Sequence, residues 1–225
     1  MAEIASSTGE IKPVRLADGS QVTLDSASRA HIIFASGERR ILLQGRARFD
    51  VAHDFARPFI VVAGGEEVVA HGTLFDVAIA GDRVAISLLR GLIEVREASV
   101  DSRTGRPSTR RLLTPGWRLV ASRKDPLPPR RPVSAAETRW VSGLLSFENT
   151  PLVDVIAAAN RYSVRQIRLV DDRSKSLRFT GTFQPTKPDD LAAMLAATFR
   201  LRLSTNPSGN LLLSSADMPI VVPRK

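Results

Sequence analysis

The sequence predicts a mainly β chain in two modules: an N-terminal domain of antiparallel strands, then a small α+β domain. Three observations carry this. Apolar residues alternate with a period of two from 14 to about 120, a proline-rich stretch follows at 123–136, and helical apolar spacing begins only beyond it. The 225 residues are enough for two domains, and 43% hydrophobic with 24% charged residues excludes wholesale disorder.

Residues 1–13 read as a flexible N-terminus. From there Val14 and Leu16, Val22 and Leu24, Ile32 and Phe34, Ile41 and Leu43, Phe49 and Val51, and Phe59 and Val61 mark short half-buried strands. Val68 and Ala70, Phe75 and Val77, Val84 with Ile86 and Leu88, and Ile93 and Val95 continue the series. Asp18-Gly19-Ser20, Ser36-Gly37, Gly64-Gly65, Gly81-Asp82 and Pro115-Gly116 punctuate it at intervals of about 8–12 residues, the rhythm of an all-β fold. No helical stripe is available to cover a parallel sheet. The strands of 14–122 must therefore close as an antiparallel sandwich, a rolled barrel or a solenoid-like stack of coils. The polar, basic stretch 99–108 reads as an exposed hairpin loop.

Residues 123–137 read as a linker. Four prolines between 123 and 136 stiffen it and cannot donate to a β ladder. The second module, 138–216, reads β-α-β-β-α-β-β, with a tail at 217–225. Leu144 to Phe147 form a strand, Thr150 caps a helix with Pro151 at its first position, and Leu152, Val155, Ile156 and Ala159 share its inner face. Ile167 and Leu169, then Leu177 through Phe183, give strands. Pro188-Asp189-Asp190 opens a helix with Leu191, Met194, Leu195 and Thr198 inward, and Leu201, Leu203, Leu211 and Leu213 close the module as a hairpin. Two helices cover one sheet face, so an edge strand is expected to stay free.

The chemistry-bearing residues are sparse. The chain has no cysteine, which removes disulfides, thiolate metal sites and thiol nucleophiles. His31, His53 and His71 are far apart in sequence and read as packed or surface residues, so no metal and no cofactor is expected. Asp171-Asp172 and Asp189-Asp190 fall where turns and helix starts favour acids. With no nucleophile elbow, phosphate loop or paired metal ligands, no enzyme and no catalytic residue is expected. Trp117 and Trp140 stand at the ends of the linker region, each readable as core or as partner contact.

The net charge of +9 raises the question of nucleic acid, but the charge is dispersed: residues 1–122 carry 16 basic and 14 acidic groups. Arg103, Arg106, Arg110 and Arg111 form the one strong basic run and lack interleaved aromatics, so no nucleic-acid partner is expected. A carbohydrate- or cell-wall-binding β module is the alternative function, thinly supported by a chain that is 5% aromatic. No signal peptide or spanning helix is legible.

Several spaced motifs occur together. Leu16-Ala17-Asp18-Gly19-Ser20, Arg40-Ile41-Leu42-Leu43-Gln44-Gly45, Arg57-Pro58-Phe59, His71-Gly72-Thr73-Leu74-Phe75-Asp76-Val77, Leu89-Arg90-Gly91 and Leu113-Thr114-Pro115-Gly116 resemble the FecR family, inner-membrane anti-sigma regulators of bacterial cell-surface signalling. Trp140, Gly143, Leu145 and Phe147, followed by Pro151-Leu152 and Asn160-Arg161-Tyr162, are similar to the start of that family's C-terminal module, which resembles the STN domain of secretins and TonB-dependent receptors. The chain departs from the pattern at Arg46, where the family usually has an acid, and at Arg48, where it usually has an aromatic.

The resemblance implies the periplasmic portion of a single-pass inner-membrane protein. Its partner would be the N-terminal signalling domain of a TonB-dependent outer-membrane receptor, with a ferric siderophore as the usual signal. Regulated proteases would then free an ECF sigma factor, held by a cytoplasmic domain that this sequence does not contain. On physical grounds the expected docking surface is a strand edge of the second module, at Leu177, Arg178, Phe179, Thr180, Arg202, Leu211 and Leu213. Alternation requires half of these to face the core. Leu177→Glu or Leu211→Asp is expected to abolish receptor binding where the residue faces outward.

Overall fold

The computed structural model describes residues 2–98, 110–122 and 129–215, in two compact units, Met1–Val141 and Ser142–Lys225. Arg103 and Arg106 with their loop, residues 123–128 and the tail lie outside the described residues.

In the first unit the chain winds between two sheets. β1 (Ala2–Ala5) lies in the first sheet, and β2 (Lys12–Arg15) with β3 (Gln21–Leu24) forms a hairpin in the second. β4 (Arg29–Phe34) and β5 (Arg39–Gln44) return to the first, β6 (Arg46–Asp50) crosses to the second, and β7 (Phe59–Ala63) with β8 (Glu66–Ala70) crosses back. β9 (Leu74–Ala80) and β10 (Arg83–Arg90), β11 (Ile93–Glu97) and β12 (Arg110–Leu113), and finally β13 (Trp117–Ser122) continue the alternation. A strap follows, made of β14 (Arg131–Pro132), the one-turn helix α1 (Ala135–Thr138) and a 3-10 turn, Arg139–Ser142.

The sheet orders are β1-β4-β5-β7-β8-β11-β12 and β14-β13-β10-β9-β6-β3-β2. Every pairing in them is antiparallel except β5 with β7, where the chain leaves one sheet and returns parallel to itself. Of the three closures open to the sequence, the structure selects two stacked sheets joined by a winding chain. The expected flexible N-terminus is ordered from residue 2: β1 pairs with β4 from Ala2↔Ile32 to Ala5↔Arg29. Only Ile4 is a large apolar residue in that strand, so its alternation is too short to read.

Alternation puts one face of each strand inward, as in β5, where Arg39, Ile41 and Leu43 are buried. Phe49, Phe59 and Phe75 form the centre of the core, with the Phe49 ring centroid 6.0 Å from that of Phe59 and 5.2 Å from that of Phe75. Burial of each ring contributes about 1.5–3 kcal/mol. The buried Arg39 is the exception in this apolar interior. Its Nη1 donates to Asp18 Oδ2 at 2.7 Å and to the Ala52 carbonyl at 3.1 Å, and its Nε donates to the Arg57 carbonyl at 3.0 Å.

Gly45 turns the chain from β5 into β6 with φ +88°, and a Cβ there would stand 2.5 Å from Ser28 Oγ. Strain and overlap act together, so Gly45→Ala is expected to cost about 2–3 kcal/mol, measurable as a lower urea midpoint. A change below ~0.5 kcal/mol would show that the corner relaxes freely.

The second unit contains β15 (Leu145–Pro151), α2 (Leu152–Asn160), β16 (Ile167–Leu169), α3 (Asp172–Lys175), β17 (Arg178–Phe183), α4 (Pro188–Phe199), β18 (Leu201–Thr205) and β19 (Leu211–Ser215). β15 and β17 form a two-stranded antiparallel ladder. The other sheet has the order β16-β19-β18, with β16 parallel and β18 antiparallel to the central β19. Leu152, Val155, Ile156 and Ala159 of α2 pack with Leu191, Ala192 and Leu195 of α4, Ile167, Phe179, Leu211 and Leu213 in one core.

Local differences from expectation have local causes. Thr150 is not a helix cap, because β15 runs through it to Pro151 and α2 begins at Leu152 without a side-chain cap. Met194 and Thr198 face outward, and Ala192 takes the inner place beside Leu191 and Leu195. The one-turn α3 was not legible. Asp171 caps it by accepting the Ser174 N–H at 2.8 Å, and also accepts the Ser215 N–H at 2.8 Å.

Candidate partner-docking surface

Unpaired strand edges are the chemically distinctive feature of the second unit. Among the described residues, β19 is central, bonded on both sides, whereas β16 and β18 are the rims of their sheet and β15 and β17 each have one partner. A rim strand exposes backbone N–H and C=O groups that a partner strand can pair with.

The expected docking residues divide by their position on this framework. Leu211 and Leu213 are buried in the central strand, and Phe179 is buried against Phe147 and Phe183, with centroids at 6.4 and 6.0 Å. These three side chains belong to the core and cannot meet a partner. Alternation alone does not say which face is inner, and the parallel pairing of β16 with β19 joins segments 44 residues apart, Ile167↔Leu211. Leu177 is half-buried ahead of β17, and its carbonyl accepts the Leu152 N–H at 2.7 Å. Arg178 and Thr180 are exposed: Arg178 Nη1 donates to the Asn149 carbonyl, and Thr180 Oγ1 accepts the Asn149 N–H at 2.9 Å. Arg202 is exposed on β18, opposite Ser214.

β18 is the most open of these strands, since Arg202, Leu203, Ser204 and Thr205 are all exposed. Leu203 stands opposite the buried Leu213, yet at the rim it keeps 38% exposure. Met194 on α4 is 36% exposed and lines, with Phe183, Gln184, Lys187, Asp190 and Leu191, a cleft of about 340 Å³ at the end of β17. Sequence reasoning passed over Leu203 and Met194, one placed simply in the closing hairpin and the other on the inner face of its helix.

A second constellation, in the first unit, was also missed. Arg48 and Asp76 face each other across β6 and β9, with Nε to Oδ1 at 2.6 Å and Nη2 to Oδ2 at 2.8 Å. Trp140 Nε1 donates to Asp76 Oδ2 at 3.0 Å, and the Arg46 guanidinium lies 4.5 Å from the indole centre. Arg46 and Arg48 also donate to the carbonyls of Glu137 and Thr138 at 2.9 and 3.0 Å. Trp140 is therefore an anchor of the first unit and not the head of the second. Arg46 and Arg48, both on β6, are the residues that hold it.

Burial alone would raise the Glu137 carboxyl, but the hydrogen bond from Arg131 and the nearby charge of Arg118 outweigh it and hold Glu137 below its ordinary 4.5. Its contribution is complete above that value and is lost as the pH falls through the lower value of the folded chain. Acid titration is therefore expected to loosen residues 131–141 below pH 4.5, seen as faster amide exchange in that segment. Exchange independent of pH after correction for the intrinsic rate would remove Glu137 from this role.

His31 contacts Glu3 at 3.2 Å and His53 packs edge-on to Phe55 at 4.1 Å. Among the described residues no three His, Asp or Glu side chains gather as metal ligands would, and no helix is long and apolar enough to cross a membrane.

Fold and surface together define a mainly β, two-unit scaffold whose distinctive groups are strand edges and a stapled connecting segment. Residues 2–94, within the first unit, match the FecR protein family. Two crystal structures of a Parabacteroides distasonis ATCC 8503 protein, proposed to be an anti-sigma factor, share the fold. One, at 1.65 Å, has a TM-score of 0.77 and 23% identity over 96% of this chain and 100% of that one. The other, at 2.50 Å, has a TM-score of 0.76 and 23% identity over 96% and 99%. No curated protein matches the chain in sequence.

Proposed function

We propose that the chain is the periplasmic sensor region of an anti-sigma regulator. Its second unit, read as an STN-like domain, receives the N-terminal signalling domain of a TonB-dependent outer-membrane receptor. That contact would lead to stepwise proteolysis and release of an ECF sigma factor, with a ferric siderophore as the original signal and no bond-making chemistry in this chain. The match of residues 2–94 to the FecR family supports the signalling class, and the observation that carries the docking site is β18, a rim strand with four successive exposed residues.

An incoming strand pairing with β18 would bury Leu203 and place Arg202 beside the partner's side chains. Leu203→Glu in the whole chain is expected to weaken receptor-domain binding at least about tenfold, because a carboxylate would be desolvated at the new seam. Arg202→Glu is expected mainly to slow association, since rim charges act on encounter more than on residence. Calorimetry and stopped-flow binding read both. A wild-type chain that does not bind the signalling domain sinks the receptor reading, whereas full binding by Leu203→Glu moves the site off β18.

A further inference from the structure

We propose that residues 129–141 form a releasable strap, with Trp140 as its latch, that opens as one unit while both sheets beneath it stay folded. The strap is thinly attached. α1 buries no residue, and β14 pairs with β13 at only two positions, Trp117↔Pro132 and Arg118↔Arg131, one of them a proline without an N–H. Beyond these, the Val133 N–H donates to the Gly116 carbonyl at 2.8 Å. Among the described residues of the strap, Trp140, 1% exposed, is the one fully buried side chain.

The sheet is built to survive the strap's departure. Arg48 keeps its two-pronged pairing with Asp76, and Arg46 keeps Asp25 Oδ2 at 3.7 Å, so the two arginines that hold Trp140 stay paired when it lifts, while Arg118 of β13, 20% exposed, gives up Glu137. On the strap, the groups losing partners are the carbonyls of Glu137 and Thr138 and one indole N–H, all of which water can satisfy. The main cost of opening is the exposed indole together with the Glu137 pairing to Arg118 at 3.1 Å, whereas the pairing of Glu137 with Arg131 travels with the strap.

Covalent connection gives this element a use. The second unit begins at Ser142, and a single residue, Val141, separates it from the latch. Any displacement of the second unit is applied at Trp140, and a ligand of that unit that favours the open strap shifts the equilibrium by its differential affinity. Opening frees the connecting chain around Arg130, Arg131 and Arg139. This inference does not depend on which partner the second unit takes, and its test contains no partner.

Native-state hydrogen exchange on the full chain reads the opening. Amides of residues 133–140 are expected to share one exchange rate at least about 100-fold faster than that of β6 and β9, as a subglobal unit does. Trp140→Ala is expected to raise the rate of trypsin cleavage after Arg130 or Arg139 at least tenfold, with the β-sheet circular dichroism unchanged. In a Trp117→Phe background, the fluorescence of Trp140 should shift to the red at denaturant concentrations below the main transition. Strap exchange at the rate of β6 and β9 overturns the proposal, as does graded fraying without a shared rate. A cleavage rate within twofold of wild type, or loss of the β-sheet signal in Trp140→Ala, also overturns it.

Discussion

Asp18→Ala is expected to lower the stability of the first unit by about 3–5 kcal/mol, the cost of breaking a buried ion pair from one side. Arg39 has no exposed side-chain surface, its Nη2 already lacks a hydrogen-bond partner, and its charge is balanced by Asp18 alone among the ion pairs described for it. The aspartate also accepts the Ser20 N–H at 3.1 Å and the Ser20 hydroxyl at 2.7 Å, so its loss undoes the turn as well. Two carbonyl acceptors and the Phe59 ring, 5.4 Å from the guanidinium, cannot neutralise a buried cation. Thermal unfolding followed by circular dichroism should show a loss of roughly 10–15 °C for a unit of this size. The double variant Asp18→Ala/Arg39→Met removes both charges and is expected to recover most of that loss. A single variant within ~1 kcal/mol of wild type would show that the arginine escapes to solvent.

Leu211→Asp is expected to unfold the second unit, with a cost of at least ~4 kcal/mol for placing a carboxylate in an apolar core. Leu211 is 3% exposed, bonded to β18 on one side and β16 on the other, and packed with Leu152, Leu195 and Ile167. The helical signal of α2 and α4 should vanish while the first unit keeps its β signal. The pattern of alternation admits this residue as a docking contact, but its place in the central strand makes it structural. Leu203→Glu, eight residues earlier on the rim, should leave the same signal intact. Retention of a folded second unit in Leu211→Asp would mean that β19 can register-shift or leave the core.

The contrast between Leu203 and Leu211 shows how far a one-dimensional pattern reaches. Both are leucines at alternating positions of one hairpin, and the hairpin itself, with its turn around Asn206 to Asn210, was legible from spacing and turn residues. Which strand becomes central depends on β16 arriving parallel to β19 from 44 residues upstream, a contact that leaves no local mark. Likewise Arg48 and Asp76 are visible as charges within apolar strands, but their third member, Trp140, lies 64 residues beyond Asp76. Period and turn chemistry also missed β1 and α3, each only four residues long.

By itself the sequence determined that this protein is mainly β, that helices enter only in its second part, that its long strands turn at glycines, and that its motifs resemble those of the FecR family. Those properties follow from nearest-neighbour physics: backbone conformational preference and the side-chain alternation of a strand with one face in water. Only the tertiary structure decided the two-sheet winding, the pairing of Arg39 with Asp18, the exposure of β18 and the anchoring of Trp140. Each of these depends on contacts between distant segments, whose free energy is set by what burial leaves paired and not by any residue's immediate neighbours.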